Sequence, residues 1–202
     1  MSIAAETPDD ADAALIDALR RDDPDAVEQL IERYGDGVYR LAIRVTGSGD
    51  DAEAVTRDTL WAVARGIERF SSASGFAAWI RRIAAEAAYR KLRARETNVE
   101  RITLSAVMPE FDADGRHFAS SDDWSKQLGD ARPAGAVNRA LTGAIDALPA
   151  EYRAVFVLHD IESLSSVDIG AALGISPHDV KSRVHHARLF LRQRLSQRLG
   201  AT

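Results

Sequence analysis

The stretch Ile175–Arg188, "ISPHDVKSRVHHAR", begins with a turn and continues as a helix with two chemically different sides. At about 100° per residue, the apolar positions of this helix fall together on one side: Val180, Val184, Ala187 and Leu191. Polar positions fall together on the opposite side: His178, Lys181, Ser182 and His185. We expect the apolar side to form a core, and the function then depends on whether the polar side faces water, a metal ion or another macromolecule.

Two helix starts at this point of the chain predict a helix-turn-helix. Ser165–Asp168 and Ser176–Asp179 are both Ser-x-x-Asp segments, close relatives of the capping box, in which the hydroxyl accepts a hydrogen bond from a free backbone N–H at the start of a helix. Between them, Gly174 stands where a left-handed residue would end the first helix. A helix, a tight turn and a second helix form the arrangement that offers the second helix to the major groove of DNA.

These polar residues are open to other interpretations. A charged outer face is often simply solvated, but two capping signatures at this spacing, with positive charge concentrated on the second helix, favour DNA. His185 and His186 point about 100° apart and have no cysteine beside them, so we expect no metal site. His159, Asp160 and Glu162 follow an apolar helix, and we expect them to cap it rather than act as acid and base. The chain shows no nucleophile, phosphate-loop or dinucleotide motif, so we expect no enzymatic activity and no cofactor.

Composition predicts a soluble, cytoplasmic protein of two small domains. The chain has 202 residues and no cysteine, which excludes disulfides and thiolate metal sites. It contains no apolar run near the roughly 18 residues that cross a bilayer, and its start is acidic where a secretion signal would be basic. The net charge is −5, but the acidic residues are concentrated at the start and in the middle. An acidic total therefore does not exclude binding to a polyanion.

Helical periodicity extends over most of the chain. Asp22-Asp23-Pro24 predicts a capping carboxylate with proline at the first helical position. Apolar residues then recur at three- and four-residue steps: Val27, Leu30, Ile31, Tyr34, Val38, Leu41 and Val45. Gly47-Ser48-Gly49 ends that helix, a second runs from about 51 to 70, and a third from about 76 to 95. The apolar face of the third helix comprises Phe76, Trp79, Ile80, Ile83, Ala84 and Ala87.

These patterns divide the chain into four parts. We predict an acidic disordered tail at 1–14, a helical domain at 15–95, a long flexible linker at 96–136 and a second helical domain at 137–202. The linker is rich in Asp, Gly, Ser and Pro and has few apolar residues.

Two parts of the chain resemble a known family. "ALPAEYRAVFVLHDIESLSSVDIGAALGISPHDVKSRVHHARLFLRQRL" (Ala147–Leu195) resembles region four of bacterial RNA polymerase sigma factors, in particular the extracytoplasmic-function (ECF) group of the sigma-70 family. "YGDGVYRLAIRVTGSGDDAEAVTRDTLWAVARGIERF" and "GFAAWIRRIAAEAAYRKLRAR" (Tyr34–Phe70 and Gly75–Arg95) resemble region two in order and spacing. The resemblance implies an all-α fold of two small helical domains joined by a linker.

The resemblance also implies three binding surfaces. The second region-two helix would dock on a coiled coil of the polymerase largest subunit through Arg57, Asp58, Trp61 and Arg65, on the side opposite Val55, Thr59, Ala62 and Gly66. The third helix would capture the minus-ten promoter element through Arg81, Arg82, Glu86, Tyr89, Arg90, Lys91 and Arg93, with Tyr89 stacking on a base. The C-terminal helix would read the minus-thirty-five element through Ser176, His178, Lys181, Ser182, Arg183, His185, Arg188 and Arg192.

Three residues depart from the family pattern. Glu86 stands where the family usually has an asparagine that takes part in recognising a flipped base, Arg90 where aspartate is common, and Arg57 where glutamine is common. A carboxylate can accept a hydrogen bond from a cytosine amino group but repels phosphate. Either the promoter preference differs or promoter melting is weakened.

The function implied is that of a promoter-specificity subunit. It would bind the polymerase core at the coiled coil and the flap, engage promoter DNA and be controlled by an anti-sigma factor, without membrane insertion and without a small-molecule substrate. Two alternatives stay open from the sequence: a helix-turn-helix regulator that acts without the polymerase core, and a degenerate sigma-like protein that docks but does not initiate.

Overall fold

The computed structural model describes residues 8–71, 75–96 and 134–200. Every regular element in these ranges is helical, which confirms the all-α prediction. The described residues form two compact units, one N-terminal and one C-terminal. The N-terminal unit contains α1 (Pro8–Arg20), α2 (Ala26–Thr46), α3 (Gly49–Gly66), a 3-10 turn (Ile67–Arg69) and α4 (Phe76–Glu96). The C-terminal unit contains α5 (Ala134–Asp146), α6 (Ala150–Phe156), a π-helical turn (Val157–Ile161), α7 (Ser166–Leu173) and α8 (Pro177–Gly200).

Helix α1 corrects the predicted N-terminal boundary. It begins at Pro8, inside the stretch 1–14 that was predicted to be disordered. The Tyr34 hydroxyl donates to Asp12 Oδ1 at 2.6 Å, and Arg33 Nη1 lies 3.2 Å from the same oxygen. The acidic composition suggested a tail, but here an acidic side chain joins α1 to α2. Residues 1–7 lie outside the described residues, as does the predicted linker from 97 to 133.

The junction between α2 and α3 follows the sequence prediction. Gly47 has a left-handed φ of 67°, and its N–H donates to Ile43 O at 2.8 Å, which ends α2. Ser48 then caps α3 by accepting from Asp51 N at 3.4 Å. The predicted capping carboxylate is present at the start of α2, since Asp23 Oδ1 accepts from Asp25 N at 3.1 Å. The helix itself begins at Ala26, two residues after the predicted first position at Pro24.

The core of the N-terminal unit differs from the predicted stripe at two positions. Leu30, Val38, Leu41 and Val45 are buried as expected and Tyr34 is half-buried, but Val27 is 37% exposed and Ile31 51% exposed. Periodicity placed these two residues with the core because they share a side of the helix with Leu30. The structure packs a narrower arc of α2 against α3.

Aromatic rings connect the end of α3 to the start of α4. Phe70 lies 5.3 Å from both Phe76 and Trp79, measured between ring centroids, and Tyr34 lies 5.5 Å from Phe76. Edge-on and tilted contacts at these distances add to the stabilisation from burial alone. The predicted apolar face of α4 is confirmed, with Ile83 half-buried rather than buried.

The C-terminal unit is built around α8. Ala187, Phe190 and Leu191 pack with Ala144 and Leu148 into one buried cluster. Val180 and Val184 are also buried, so the apolar side predicted for this helix is confirmed. Helix α5 begins at Ala134, three residues before the predicted domain boundary. None of the helices in the described ranges is both long and apolar enough to cross a membrane.

The turn between α7 and α8 has the predicted helix-turn-helix geometry. Gly174 adopts a left-handed φ of 68°, and Ile175 N–H donates to Gly170 O at 3.1 Å, as in a Schellman ending. Ser165 Oγ accepts from Asp168 N, and Ser176 Oγ from Asp179 N, each at 3.1 Å. Sequence reasoning missed Gly170, where a Cβ atom would lie 2.7 Å from the backbone oxygen of Ile175.

Replacing Gly170 with alanine should therefore destabilise the protein. We expect Gly170→Ala to lower the free energy of unfolding by about 1–3 kcal/mol, because the new methyl group forces the turn to move. The matched control is Gly37→Ala, another helical glycine, whose added Cβ meets nothing within 4 Å and should stabilise by up to about 1 kcal/mol. Urea unfolding of the full chain followed by circular dichroism measures both. A midpoint for Gly170→Ala at or above that of the unmodified chain would contradict the prediction.

Candidate nucleic-acid interface

The polar side of α8 is open to solvent. Lys181 and His185 are exposed, together with Ser176 and His178 at the helix start and Arg192 farther along, while Ser182 is half-buried. The Asp179 carboxylate already has a partner at the start of this helix. The Ser176 hydroxyl donates a hydrogen bond to it at 2.7 Å and lowers its pKa. The exposed groups combine donors and acceptors suited to base edges with cations suited to phosphates.

Arg183 was predicted with this surface, but the structure places it elsewhere. At about 100° per residue it lies about 160° from Lys181 around the helix. Its Nη1 is 3.0 Å from Glu151 Oε2, and its side chain is only 23% exposed. The contact is an ion pair without an aligned hydrogen bond at Nη1. Arg183 therefore joins α8 to α6.

Arg188 also has a partner within the C-terminal unit. Its Nε lies 2.8 Å from Asp160 Oδ2 and its Nη2 2.7 Å from Asp160 Oδ1, a bidentate pair. His159 Nδ1 lies 2.6 Å from the same carboxylate. The Arg188 guanidinium lowers the pKa of Asp160 and, in turn, has its own pKa raised. The expectation that Asp160 caps its helix is wrong, since its carboxylate joins the π-helical turn to α8.

The two adjacent histidines have different surroundings. His185 is exposed, whereas His186 is half-buried with its ring centroid 6.4 Å from that of Tyr152. Burial lowers the pKa of His186 and favours its neutral form. Across the described residues, His, Asp and Glu side chains form no group of three that could hold a metal ion.

The N-terminal unit carries a second cationic surface, on α4. Arg81, Arg90 and Arg93 are exposed, and Arg82 and Lys91 are half-buried. Glu86 is exposed, and its Oε1 lies 3.2 Å from Arg90 Nη1, one helical turn away. Two of the three departures from the family pattern, Glu86 and Arg90, are thus paired with each other. Because Arg90 neutralises Glu86, the carboxylate presents less repulsion to phosphate than an isolated one would.

Tyr89 corrects the prediction for the same helix. The residue is only 5% exposed, so its ring is not available for stacking on a base in this structure. The predicted stripe placed it beside Glu86 and Arg93. The buried arc of α4 is wider than expected, since Ala85, Ala88 and Leu92 are buried as well, and it takes in Tyr89 at its edge.

A cleft separates α3 from α4. It has a volume of about 410 Å³ and charged side chains along its walls. Its polar lining residues are Asp58, Arg69, Arg82, Glu86 and Arg90.

Helix α3 presents a third surface of different character. Arg57, Asp58, Trp61 and Arg65 are exposed, as predicted. Trp61 is 55% exposed, and Arg65 lies over its ring at 5.3 Å from the centroid. Ala62, expected on the covered side with Val55, is exposed too.

Trp61 forms one wall of an apolar groove that the sequence did not predict. The groove has a volume of about 350 Å³ and lies between α2 and α3. Its apolar lining residues are Val27, Ile31, Tyr39, Leu60, Trp61 and Ala64. Val27 and Ile31, the two α2 residues that periodicity placed with the core, therefore line this groove and are exposed to solvent.

Comparison with known proteins matches both units. The Sigma-70 region 2 family model matches residues 30–97, and the Sigma-70 region 4 model matches residues 138–191. The ECF RNA polymerase sigma factor SigE of Mycolicibacterium smegmatis is 34% identical over 175 residues, which cover 87% of this chain and 63% of that protein. This chain belongs to the ECF group of the sigma-70 family. SigW of Bacillus subtilis is 26% identical over 195 residues, covering 89% of this sigma factor and 94% of SigW.

Solved structures show the same fold. The sigma factor RpoE of Bartonella quintana, in complex with the anti-sigma factor NepR, superposes with a TM-score of 0.55 at 24% identity and covers 85% of this sigma factor and 97% of that chain. CnrH, in complex with the cytosolic domain of CnrY, superposes with a TM-score of 0.56 at 23% identity, covering 93% and 99%. A regulator built on the helix-turn-helix alone is not favoured, because the region 2 match would then be unexplained.

The Asp160–Arg188 pair predicts an acid-sensitive contribution to stability. The pKa of Asp160 is lower in the folded protein than the ordinary aspartate pKa of about 3.9. The ionised carboxylate therefore stabilises the folded state above that ordinary value, and this stabilisation is lost as pH falls through the lower folded-state pKa. We expect Asp160→Asn to lower the free energy of unfolding at pH 7 by at most about 1 kcal/mol, since the pair is partly exposed. The difference should shrink as pH falls toward about 3.

Denaturant unfolding of both proteins from pH 7 to pH 3 tests this. Asp146→Asn, which removes an exposed carboxylate at the end of α5, should change stability little at any pH. A difference between Asp160→Asn and the unmodified chain that stays constant over this range would show that the ion pair is not its source.

Proposed function

We propose that this sigma factor directs RNA polymerase core to promoters through three separate surfaces, two for DNA and one for the polymerase. Sigma factors are regulatory subunits, and the chain supplies specificity here without a catalytic step or a cofactor of its own. The observation that carries the proposal is the polar, cationic side of α8, which is exposed to solvent. Helix α8 is the second helix of a capped helix-turn-helix and lies within the part of the chain that matches region 4.

The minus-thirty-five element is read by α8. Lys181 and His185 are exposed on this side of the helix, together with Ser176, His178 and Arg192, and Ser182 is half-buried beside them. Side chains on the first turns of a recognition helix reach base edges, and cations nearby hold phosphates. Arg183 and Arg188 are set apart from this group by their ion pairs with Glu151 and Asp160.

The minus-ten element is engaged by α4 and the adjoining cleft. Arg81 and Arg93 are exposed cations on α4, and the cleft between α3 and α4 is lined by Arg82, Glu86 and Arg90. An unstacked base can enter a polar cleft while arginines hold the phosphates on either side. Tyr89 has no stacking role in this arrangement because it is buried.

The polymerase core docks on α3. Trp61 is a large, exposed aromatic side chain at the wall of an apolar groove, with Arg57 and Asp58 close by. Exposed apolar grooves of this kind are characteristic of interaction sites, and buried tryptophan and arginine residues dominate binding energies at interfaces. A helical coiled coil of the largest subunit has the shape to fill the groove, and the flap would contact the C-terminal unit.

Polymerase brings the two DNA-binding surfaces to the promoter together. Each surface is small and the chain is acidic overall, with a net charge of −5, so the free chain binds DNA weakly. Once the core holds both units, binding at one element raises the effective concentration at the other. An anti-sigma factor that covers either surface would block this step, and two structural relatives were solved bound to such partners or to a cytosolic domain. The site of action is the cytoplasm.

Run-off transcription with purified core polymerase on genomic fragments tests the proposal. Transcripts that start at defined promoters only when this chain is present support it. Core binding without transcripts would instead indicate a sigma-like protein that does not initiate, and a footprint without polymerase would indicate an independent regulator.

Two variants separate the surfaces. Lys181→Ala should reduce transcription from promoters with a minus-thirty-five element by roughly 5- to 100-fold, the range for losing one base or phosphate contact, and leave core binding unchanged. Trp61→Ala should weaken core binding by roughly 30-fold or more, as expected for an aromatic anchor. Each variant is the other's control in a core-binding titration. Loss of core affinity in Lys181→Ala, or full core affinity in Trp61→Ala, would show that the surfaces are misassigned.

A further inference from the structure

Arg188 lies at the edge of the polar side of α8. At about 100° per residue it falls about 20° from Lys181 around the helix axis and two turns farther along. Its side chain is 57% exposed. It therefore occupies a position from which a cation would be expected to reach a phosphate of a DNA duplex bound by this helix.

The charge of Arg188 is nevertheless already neutralised. Its Nε and Nη2 contact the two oxygens of Asp160 at 2.8 and 2.7 Å. The same edge of a guanidinium can donate two parallel hydrogen bonds either to a carboxylate or to a phosphate. A phosphate in that position would have to displace the carboxylate.

Asp160 is partly buried and has a second contact besides Arg188. Its side chain is only 19% exposed, and His159 Nδ1 contacts it at 2.6 Å. It lies on the π-helical turn, where the neighbouring Val157 and Leu158 are fully buried and fix the backbone. The carboxylate thus has contacts within its own unit in addition to Arg188.

We propose that Asp160 acts as an internal substitute for a DNA phosphate, holding Arg188 out of phosphate contact and so lowering the DNA affinity of α8. The inference rests on the proposed role of α8 as the DNA-facing helix. A neutral pair displaces no counterion from DNA, so Arg188 adds nothing to the non-specific part of binding. The exposed polar side around Lys181 and His185 then discriminates among DNA sequences. Because Arg188 is neutralised, the free chain has a lower affinity for DNA of arbitrary sequence.

Affinity for a fluorescent 30-base-pair duplex of arbitrary sequence tests this with the full chain alone, at a series of salt concentrations. Asp160→Asn should bind roughly five- to tenfold more tightly near 0.1 M salt, and the slope of log K against log salt should steepen by about 0.9, the value for one additional phosphate contact. The double variant Asp160→Asn with Arg188→Gln should return to the affinity and slope of the unmodified chain, because the gain depends on the released arginine.

The control for net charge is Asp146→Asn, which removes one exposed carboxylate elsewhere in the unit and should leave the slope unchanged. Circular dichroism establishes that each variant is folded under the binding conditions. The inference is overturned if Asp160→Asn binds no more tightly than Asp146→Asn, including the case in which neither binds detectably. It is also overturned if the double variant binds more weakly than the unmodified chain, since Arg188 would then already contact phosphate.

The outcome is independent of the sigma role. No polymerase is present in the binding assay, so failure of the chain to bind core or start transcripts would refute the proposed function and leave the electrostatic result readable. Conversely, normal transcription together with an unchanged salt slope in Asp160→Asn would refute only the role of Asp160.

Discussion

Helix α8 has to serve as the core of its unit and as its outward surface at the same time. Ala187, Phe190 and Leu191 are buried against α5 and α6, and burying each of the two large side chains contributes about 1.5–3 kcal/mol. That packing fixes the rotation of the helix about its axis. A rotation by one residue, about 100°, would turn Lys181 toward the core, so the exposed polar side is the direct consequence of the apolar one.

Packing in the N-terminal unit leaves a surface of the opposite kind. Helices α2 and α3 bury Leu30, Leu41 and Val55 but leave Val27, Ile31 and Trp61 exposed around an apolar groove. Contiguous exposed apolar surface is uncommon on a protein that acts alone. An apolar groove of this kind is expected on a subunit that functions while bound to a larger enzyme.

Ion pairs within the units limit the cationic surfaces. Arg183 pairs with Glu151, Arg188 with Asp160 and Arg90 with Glu86, and each pair removes a positive charge that the sequence alone would assign to DNA. Under the proposed function, the fewer remaining cations would leave the free chain with little affinity for DNA of arbitrary sequence.

The sequence by itself determined the features that depend on residues a few positions apart. Ser176 with Asp179, Gly174 at the helix end and the apolar spacing of Val180, Val184, Ala187 and Leu191 are local patterns, and each has the predicted geometry. The family resemblance rests on the same local patterns, and the matches to regions 2 and 4 confirm it.

Only the tertiary structure decided which side chains outside these patterns are available. Tyr89 and Trp61 both lie on amphipathic helices, yet one is buried and the other exposed, because the neighbouring helices cover different arcs. Asp160 and Arg188 are 28 residues apart, and Asp12 and Tyr34 are 22 apart. Periodicity within one helix carries no information about such partners, since their distance is set by how separate helices pack against each other.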